Sequence, residues 1–258
     1  MKRTIRRGAL VIALLVVAIS AFRLWEIGRS YRKANQVYRQ TADRFVQQAP
    51  ADTQPVQPHG EKIRQAPISV DFDGLKRENP DVVGWLYCPG TVINYPVVQA
   101  ADNEQYLSRM LDGSYHAAGT IFLDCRCDGS FQSSNSILYG HNMRDDSMFG
   151  TLESYEEPAY WTAHPTLYLL TPEADYEVRL LVGRYVPLDD EIYEADWTPE
   201  ALREYLHEAM GDSGLDAGVD CMEVERVLTL STCGAGTQER RYILIGAMTE
   251  LGRGETGD

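Results

Sequence analysis

The sequence predicts a mostly β domain, a barrel or a sandwich, carried behind a basic and apolar N-terminal segment. Three observations point there. From residue 68 onward, short apolar runs rich in β-branched and aromatic residues alternate with Gly, Pro and Asp turns. Charge is split along the chain: residues 1–33 hold eight Lys/Arg and one Glu, net +7, in a chain of formal charge −14, so the remainder carries −21. The head also contains fifteen consecutive uncharged residues, 8–22, GALVIALLVVAISAF. With 258 residues, 44% hydrophobic and 24% charged, the composition is that of one globular domain with additions, which argues against wholesale disorder, a collagen-like repeat or a multi-span membrane protein. The acidic body argues against nucleic acid as a partner.

The elements follow in order. A spanning helix needs about 20 apolar residues. Counting to Trp25, with Arg23 snorkelling to the interface, residues 8–25 give eighteen. Lys2, Arg3, Arg6 and Arg7 on one side keep the N-terminus cytoplasmic and send the rest of the chain out. The same run fits the core of a cleaved signal peptide, but cleavage after Ala21 would leave Ile19 at the −3 position, where a small residue is preferred. Residues 1–25 are therefore expected to be a cytoplasmic basic head and a transmembrane anchor. Ile27, Tyr31, Ala34, Tyr38, Ala42, Phe45 and Val46 recur at steps of three and four, which predicts an amphipathic juxtamembrane helix over 26–48. Pro50, Pro55, Pro58 and Pro67 mark 49–67 as a linker. A globular domain over 68–251 and a short tail, 252–258, complete the chain.

Within the domain, strands are predicted over 82–87, 91–98, 119–123, 136–139, 166–171, 176–185, 224–230 and 241–248, with a hairpin turn at Pro172-Glu173-Ala174-Asp175. One late helix has clear ends. Thr198 is its N-cap, Pro199 its first residue and Gly211 its stop. Leu202, Tyr205 and Leu206 form its apolar face, which either walls a groove or packs on the barrel. A second short helix is predicted over 148–155.

Five cysteines, Cys88, Cys125, Cys127, Cys221 and Cys233, leave at least one thiol over in a compartment that permits disulfides. No Cys or His spacing is that of a common zinc site, so no metal is expected. Cys233 stands apart. It ends an apolar strand and opens the small-residue loop Gly234-Ala235-Gly236, where a substrate backbone can approach closely. The alternative is a half-buried free thiol. A thiol nucleophile needs a base or a cation beside it. Of five histidines, His141 is the one at a strand end, in Tyr139-Gly140-His141-Asn142-Met143. Arg241 opens the strand that follows Cys233, and antiparallel pairing of the last two strands would bring it beside the thiol. There a guanidinium can hold a developing oxyanion. Arg240 would then point to the opposite face.

These residues resemble the class B sortases, a family of cysteine transpeptidases. Thr229-Leu230-Ser231-Thr232-Cys233, followed by Arg241, looks like the sortase active-site motif, and the His141 segment with Met148-Phe149 looks like the histidine segment of class B. Val83-Gly84-Trp85-Leu86, Tyr95-Pro96-Val97-Val98, Asp102-Asn103 through Tyr106-Leu107, and Ile121-Phe122-Leu123-Asp124 also match, in the right order. Cys88, Cys125 and Cys127 depart from the pattern and leave the redox state open.

The resemblance implies an eight-stranded sortase-type β-barrel with N-terminal helices and a helix before the cysteine strand. It implies a catalytic set of Cys233, His141 and Arg241, with Asn103, Leu107 and Ser231 contacting substrate. The implied reaction cleaves a C-terminal sorting signal of a secreted protein and joins the new threonine carboxyl, through a thioacyl-enzyme, to a peptidoglycan amine. No cofactor is implied. An uncleaved anchor would place the domain outside the cytoplasmic membrane. A membrane-tethered cysteine peptidase, a pilin-polymerising sortase and a non-catalytic tethered barrel are the alternatives.

Overall fold

The computed structural model describes residues 2–49, 64–213, 218–233 and 239–252. The prolines at 50, 55 and 58, the loop Gly234-Ala235-Gly236 and nearly all of the predicted tail lie outside the described residues. The chain divides into two compact units, residues 1–40 and 41–258.

The first unit belongs to one helix, α1 (Lys2–Phe45), which continues into the second. The predicted anchor and juxtamembrane helix are thus one element. Among the described residues no helix is long and apolar enough to cross a membrane. The expected transmembrane helix is not supported among them. Helix α1 ends three residues before the predicted Gln48, because Val46–Gln48 form a strand, β1, paired antiparallel with β2 (Ile68–Val70). The Ala49 N–H reaches the Pro67 carbonyl and the Asp71 N–H the Phe45 carbonyl, so both ends of the predicted linker are pinned. Helix α2 (Phe72–Glu78) follows, capped by the Asp71 carboxylate, which accepts from the Gly74 N–H at 2.8 Å.

The barrel strands are β3 (Val82–Tyr87), β4 (Asn94–Val98), β5 (Ile121–Leu123), β6 (Asn135–His141), β7 (Thr166–Leu170), β8 (Asp175–Pro187), β9 (Val227–Cys233) and β10 (Arg240–Leu251). They close in the order β10-β8-β7-β3-β4-β5-β6-β9, an eight-stranded barrel as expected. The predicted hairpin joins β7 to β8, and the Thr171 hydroxyl accepts from the N–H groups of Glu173 and Ala174 inside its turn. Inside, Leu86, Val97, Ile121, Leu123, Leu138, Leu169 and Leu244 are fully buried. A separate cluster joins Phe45, Ile68, Leu75, Val82 and Val98, tying the β1–β2 pair and α2 to the barrel.

Helix α3 (Pro158–Ala163) precedes β7, and α4 (Pro199–Ser213) precedes β9. The Thr198 hydroxyl caps α4, accepting from the Ala201 N–H, but the helix runs two residues past Gly211. Leu202 and Leu206 are fully buried with Leu181, Val186, Val227, Ile243 and Ile245. This face packs on the barrel and does not wall a groove. The short helix predicted over 148–155 is displaced. Met148 has φ +55 and bridges back to Asn142, so the only helical turn there is a 3-10 turn, Leu152–Glu156. Cys88, Cys125, Cys127 and Cys221 are free thiols.

Candidate active site

Two features of the topology bring distant residues to one rim. Strands β6 and β9 pair in parallel, with Cα partners running from Asn135↔Val227 to His141↔Cys233. Parallel neighbours end at the same side of a sheet, so both C-terminal residues lie together. Strand β10 then pairs antiparallel with β9, from Ala247↔Val227 to Ile243↔Ser231. Continued by two residues, that register sets Arg241 opposite Cys233. Backbones of His141, Cys233 and Arg241 thus sit on three adjacent strands, about 4.8 Å apart from one strand to the next. The Cys233 side chain lies outside the described part.

Each neighbour has a defined anchor. His141 is half-buried, and its Nε2 lies 2.7 Å from the Leu107 carbonyl. A carbonyl can only accept, so Nε2 carries the proton and the neutral ring keeps its lone pair on Nδ1. The His141 carbonyl in turn accepts from the Phe149 N–H, and Asn142 donates to Glu153, which folds the following loop back on the strand end. Arg241 donates from Nη1 to the Thr232 carbonyl at 2.9 Å. The Thr232 hydroxyl accepts from the Tyr242 N–H and donates to the Tyr242 carbonyl, so a side chain replaces the last ladder bonds between β9 and β10. Arg240 is exposed and reaches away, to the Tyr185 carbonyl. The two arginines diverge as strand alternation requires.

The residues expected to contact substrate are occupied differently. Asn103 Oδ1 accepts from the Cys125 N–H at 2.8 Å. Leu107 is half-buried, and its main chain is what holds His141. Ser231 is fully buried, with its hydroxyl 3.0 Å from that of Tyr193, so a ligand reaching it must first displace Tyr193.

A network that sequence reasoning missed lies one step behind the rim. Tyr139 and Ser231 are Cα partners, two residues before His141 and Cys233. Tyr193 stacks on Tyr139 with ring centres 6.4 Å apart. The Tyr139 hydroxyl donates to Asp124, which is fully buried at the end of β5 and takes a two-pronged grip from Arg126, Nε at 3.0 Å and Nη2 at 2.9 Å. Arg126 also donates to the Tyr193 carbonyl. Burial works to raise the Asp124 carboxyl, but the bonds from the Arg126 side chain and backbone, with those of Tyr139 and Asn103, outweigh it and hold it below the ordinary range. Burial, then the Asp124 charge, push the Tyr139 phenol up. The Asp124-x-Arg126 spacing was the only signal in the letters.

Among the described residues no cluster of His, Cys, Asp or Glu could hold a metal ion. No protein-family model matches the chain. Sortase B of Listeria monocytogenes is 31% identical over 226 residues, 86% of this chain and 88% of that protein. A sortase B-like structure from Bacillus anthracis superposes with a TM-score of 0.66 at 27% identity, covering 85% of this chain and 97% of that one. A Staphylococcus aureus sortase B–substrate complex superposes with a TM-score of 0.64 at 27% identity, covering 69% and 84%. A closed eight-stranded barrel with helices at its N-terminus and before its last two strands, and kinship over nearly the whole length of a named relative, lead to one conclusion: this chain belongs to the class B sortases and is a cysteine transpeptidase.

Proposed function

We propose that the protein cleaves a C-terminal sorting signal on secreted proteins and joins the new threonine carboxyl to a cell-wall peptidoglycan amine. The observation that carries this reading is the pairing of His141 with Cys233 at a shared strand end, with Arg241 on the adjoining strand. Opposite positions in a sheet share a face, which supports a common site. The structure of a relative with its substrate supports a peptide as the ligand.

The Cys233 thiolate attacks the threonine carbonyl carbon, and the carbonyl π electrons move onto oxygen. Arg241, held at the Thr232 carbonyl, offers its remaining N–H groups to that oxyanion. The C–N bond then breaks, and His141 as imidazolium gives its proton to the departing amine, leaving a thioester. The acceptor amine attacks the thioester, His141 takes its proton, and the Cys233 thiolate leaves. Asn103 and Leu107 contact the sorting signal in this reading. Ser231 does so only once Tyr193 moves.

The protein works at the outer face of the cytoplasmic membrane, with its N-terminus inside. Leu10, Ile12, Leu14, Leu15, Val16, Val17, Ile19, Phe22, Leu24 and Trp25 are each more than half exposed along α1, an apolar surface on all sides that lipid would cover. Extended through Trp25 with Arg23 at the headgroups, this segment reaches about 27 Å.

The test incubates the full chain in detergent with sorting-signal peptides, with and without an amine acceptor, and reads products by mass. An acceptor-linked product that grows at the expense of free acid supports the proposal. Hydrolysis indifferent to acceptor makes the protein a tethered peptidase. A Cys233→Ala variant that still cleaves removes the thiol from the mechanism.

A further inference from the structure

The group that orients His141 is a main-chain oxygen, the Leu107 carbonyl, so no side chain at 107 sets its position. What sets it is whatever packs on that backbone. Residues Gln105–Leu107 form a single 3-10 turn, too short to hold its own geometry. It is braced from two sides. On one, the buried Tyr106 hydroxyl donates to the Asp81 carboxylate at 2.6 Å and accepts from the Asn79 amide at 2.9 Å. On the other, the chain returns before β5, where the Thr120 N–H donates to the Tyr106 carbonyl at 3.0 Å and the Thr120 hydroxyl donates to the Arg109 carbonyl at 2.8 Å.

Gly119 lies directly against this turn. Its φ is +58, and a Cβ placed there would sit 2.8 Å from the Leu107 oxygen and 3.0 Å from its carbonyl carbon, and would also collide with the Tyr106 oxygen. All three atoms are backbone, so none can swing aside as a flexible side chain would. A side chain at 119 forces this backbone contact to give, and it presses directly on the acceptor of the His141 bond.

We infer that Gly119 is a positioning residue for His141: its bare Cα lets the Leu107 carbonyl stand where it fixes the imidazole's ring plane and Nε2–H tautomer. The inference rests on the role proposed above for His141. A ring held in this way presents Nδ1 to the reacting groups without a search. A ring that has lost the carbonyl exchanges tautomers and rotates, and each turnover waits on the productive arrangement.

The structure supplies its own control. Gly113 lies in the same connection between β4 and β5, also has a left-handed φ, +79, and has nothing within 4 Å of a Cβ. Gly113→Ala therefore carries the backbone strain without the collision. The experiment uses the full chain, reads the tautomer of neutral His141 by nitrogen NMR, and measures kcat and KM on a sorting-signal peptide. Gly119→Ala should lose the Nε2–H preference and drop kcat roughly ten- to a hundredfold, with KM within about threefold of wild type. Gly113→Ala should match wild type in both. If Gly119→Ala does not fold, Tyr106→Phe removes the bracing hydroxyl without adding volume and should show the tautomer change in weaker form. A wild-type tautomer and kcat in Gly119→Ala, or in Tyr106→Phe where that stands in, would overturn the inference. So would equal losses in Gly119→Ala and Gly113→Ala. A wild-type protein inactive on every sorting peptide would overturn the proposed function instead, while the tautomer comparison still decides this point.

Discussion

Replacing Asp124 by Asn tests the reasoning about the buried network most directly. The side chain is fully buried and keeps its shape in the variant, so packing changes little. What changes is acceptance. Oδ1 accepts from the Arg126 backbone N–H and Nε, and Oδ2 from Arg126 Nη2 and the Tyr139 hydroxyl. An amide turns one of these two sides into a donor facing donors. Breaking one partner out of a buried ion pair costs about 3–5 kcal/mol. The Arg126 side chain is 52% exposed and regains water, and the Tyr139 hydroxyl can turn to accept from an amide, so the lost charge-assisted bonds set the cost at about 2–4 kcal/mol. For a unit of this size that is a Tm drop of roughly 4–16 °C. The pH dependence has a definite sign. The folded carboxyl titrates below its unfolded value, so its stabilisation is complete above about pH 4 and is lost as pH falls through the lowered value. Thermal melts of wild type and Asp124→Asn at pH 7 should therefore differ widely, and the gap should close as pH drops below about 4. A difference under about 1 °C at pH 7, or a gap that persists in acid, refutes the account.

Arg241→Ala should lower kcat about a hundredfold or more with little change in Tm, while Arg240→Ala stays within about twofold in peptide-cleavage assays; the reverse pattern would mean the strand's working face is the other one. Leu202→Ala, which empties a fully buried position between α4 and the barrel, should cost about 2–5 kcal/mol in denaturant melts and leave activity intact below the transition. In a Cys233→Ala background, a maleimide should label exposed Cys125 first and half-buried Cys221 next. Buried Cys88, and Cys127, whose thiol burial pushes up to about 11, should label only on unfolding. Native labelling of either buried thiol, read by mass, would contradict the burial described.

The barrel strands were legible because turn residues punctuate them and their apolar runs are dense. The antiparallel pairing of the last two strands, and with it the divergence of Arg240 and Arg241, followed from position and alternation alone. The β1–β2 pair was not legible. Two three-residue strands carry no period, and the partner of Val46 arrives only after the proline-rich stretch. The helix predicted from Met148 failed because a left-handed residue bridged to Asn142 is invisible to a reading by hydrophobic spacing. Gly211 misled for the opposite reason: an exposed glycine in a last turn costs only about 1 kcal/mol, which the helix tolerates. At the site, the letters pointed to His141 but not to its orienting group, since a backbone oxygen has no residue type. Ser231 looked available because its motif gives no hint that Tyr193 covers it.

The parallel partnership of β6 and β9 has a consequence in time. Residues 142–226, including α3, two strands and α4, must be made and threaded across before the second strand can lie beside the first. The final strand, β10, then fastens that pair to β8 and closes the ring. On the mechanism proposed above, a ribosome delivers the imidazole half of the machinery long before the sulfur half, and the nascent chain stays idle until its last strands arrive. A chain clipped anywhere before β10 leaves an unsealed barrel.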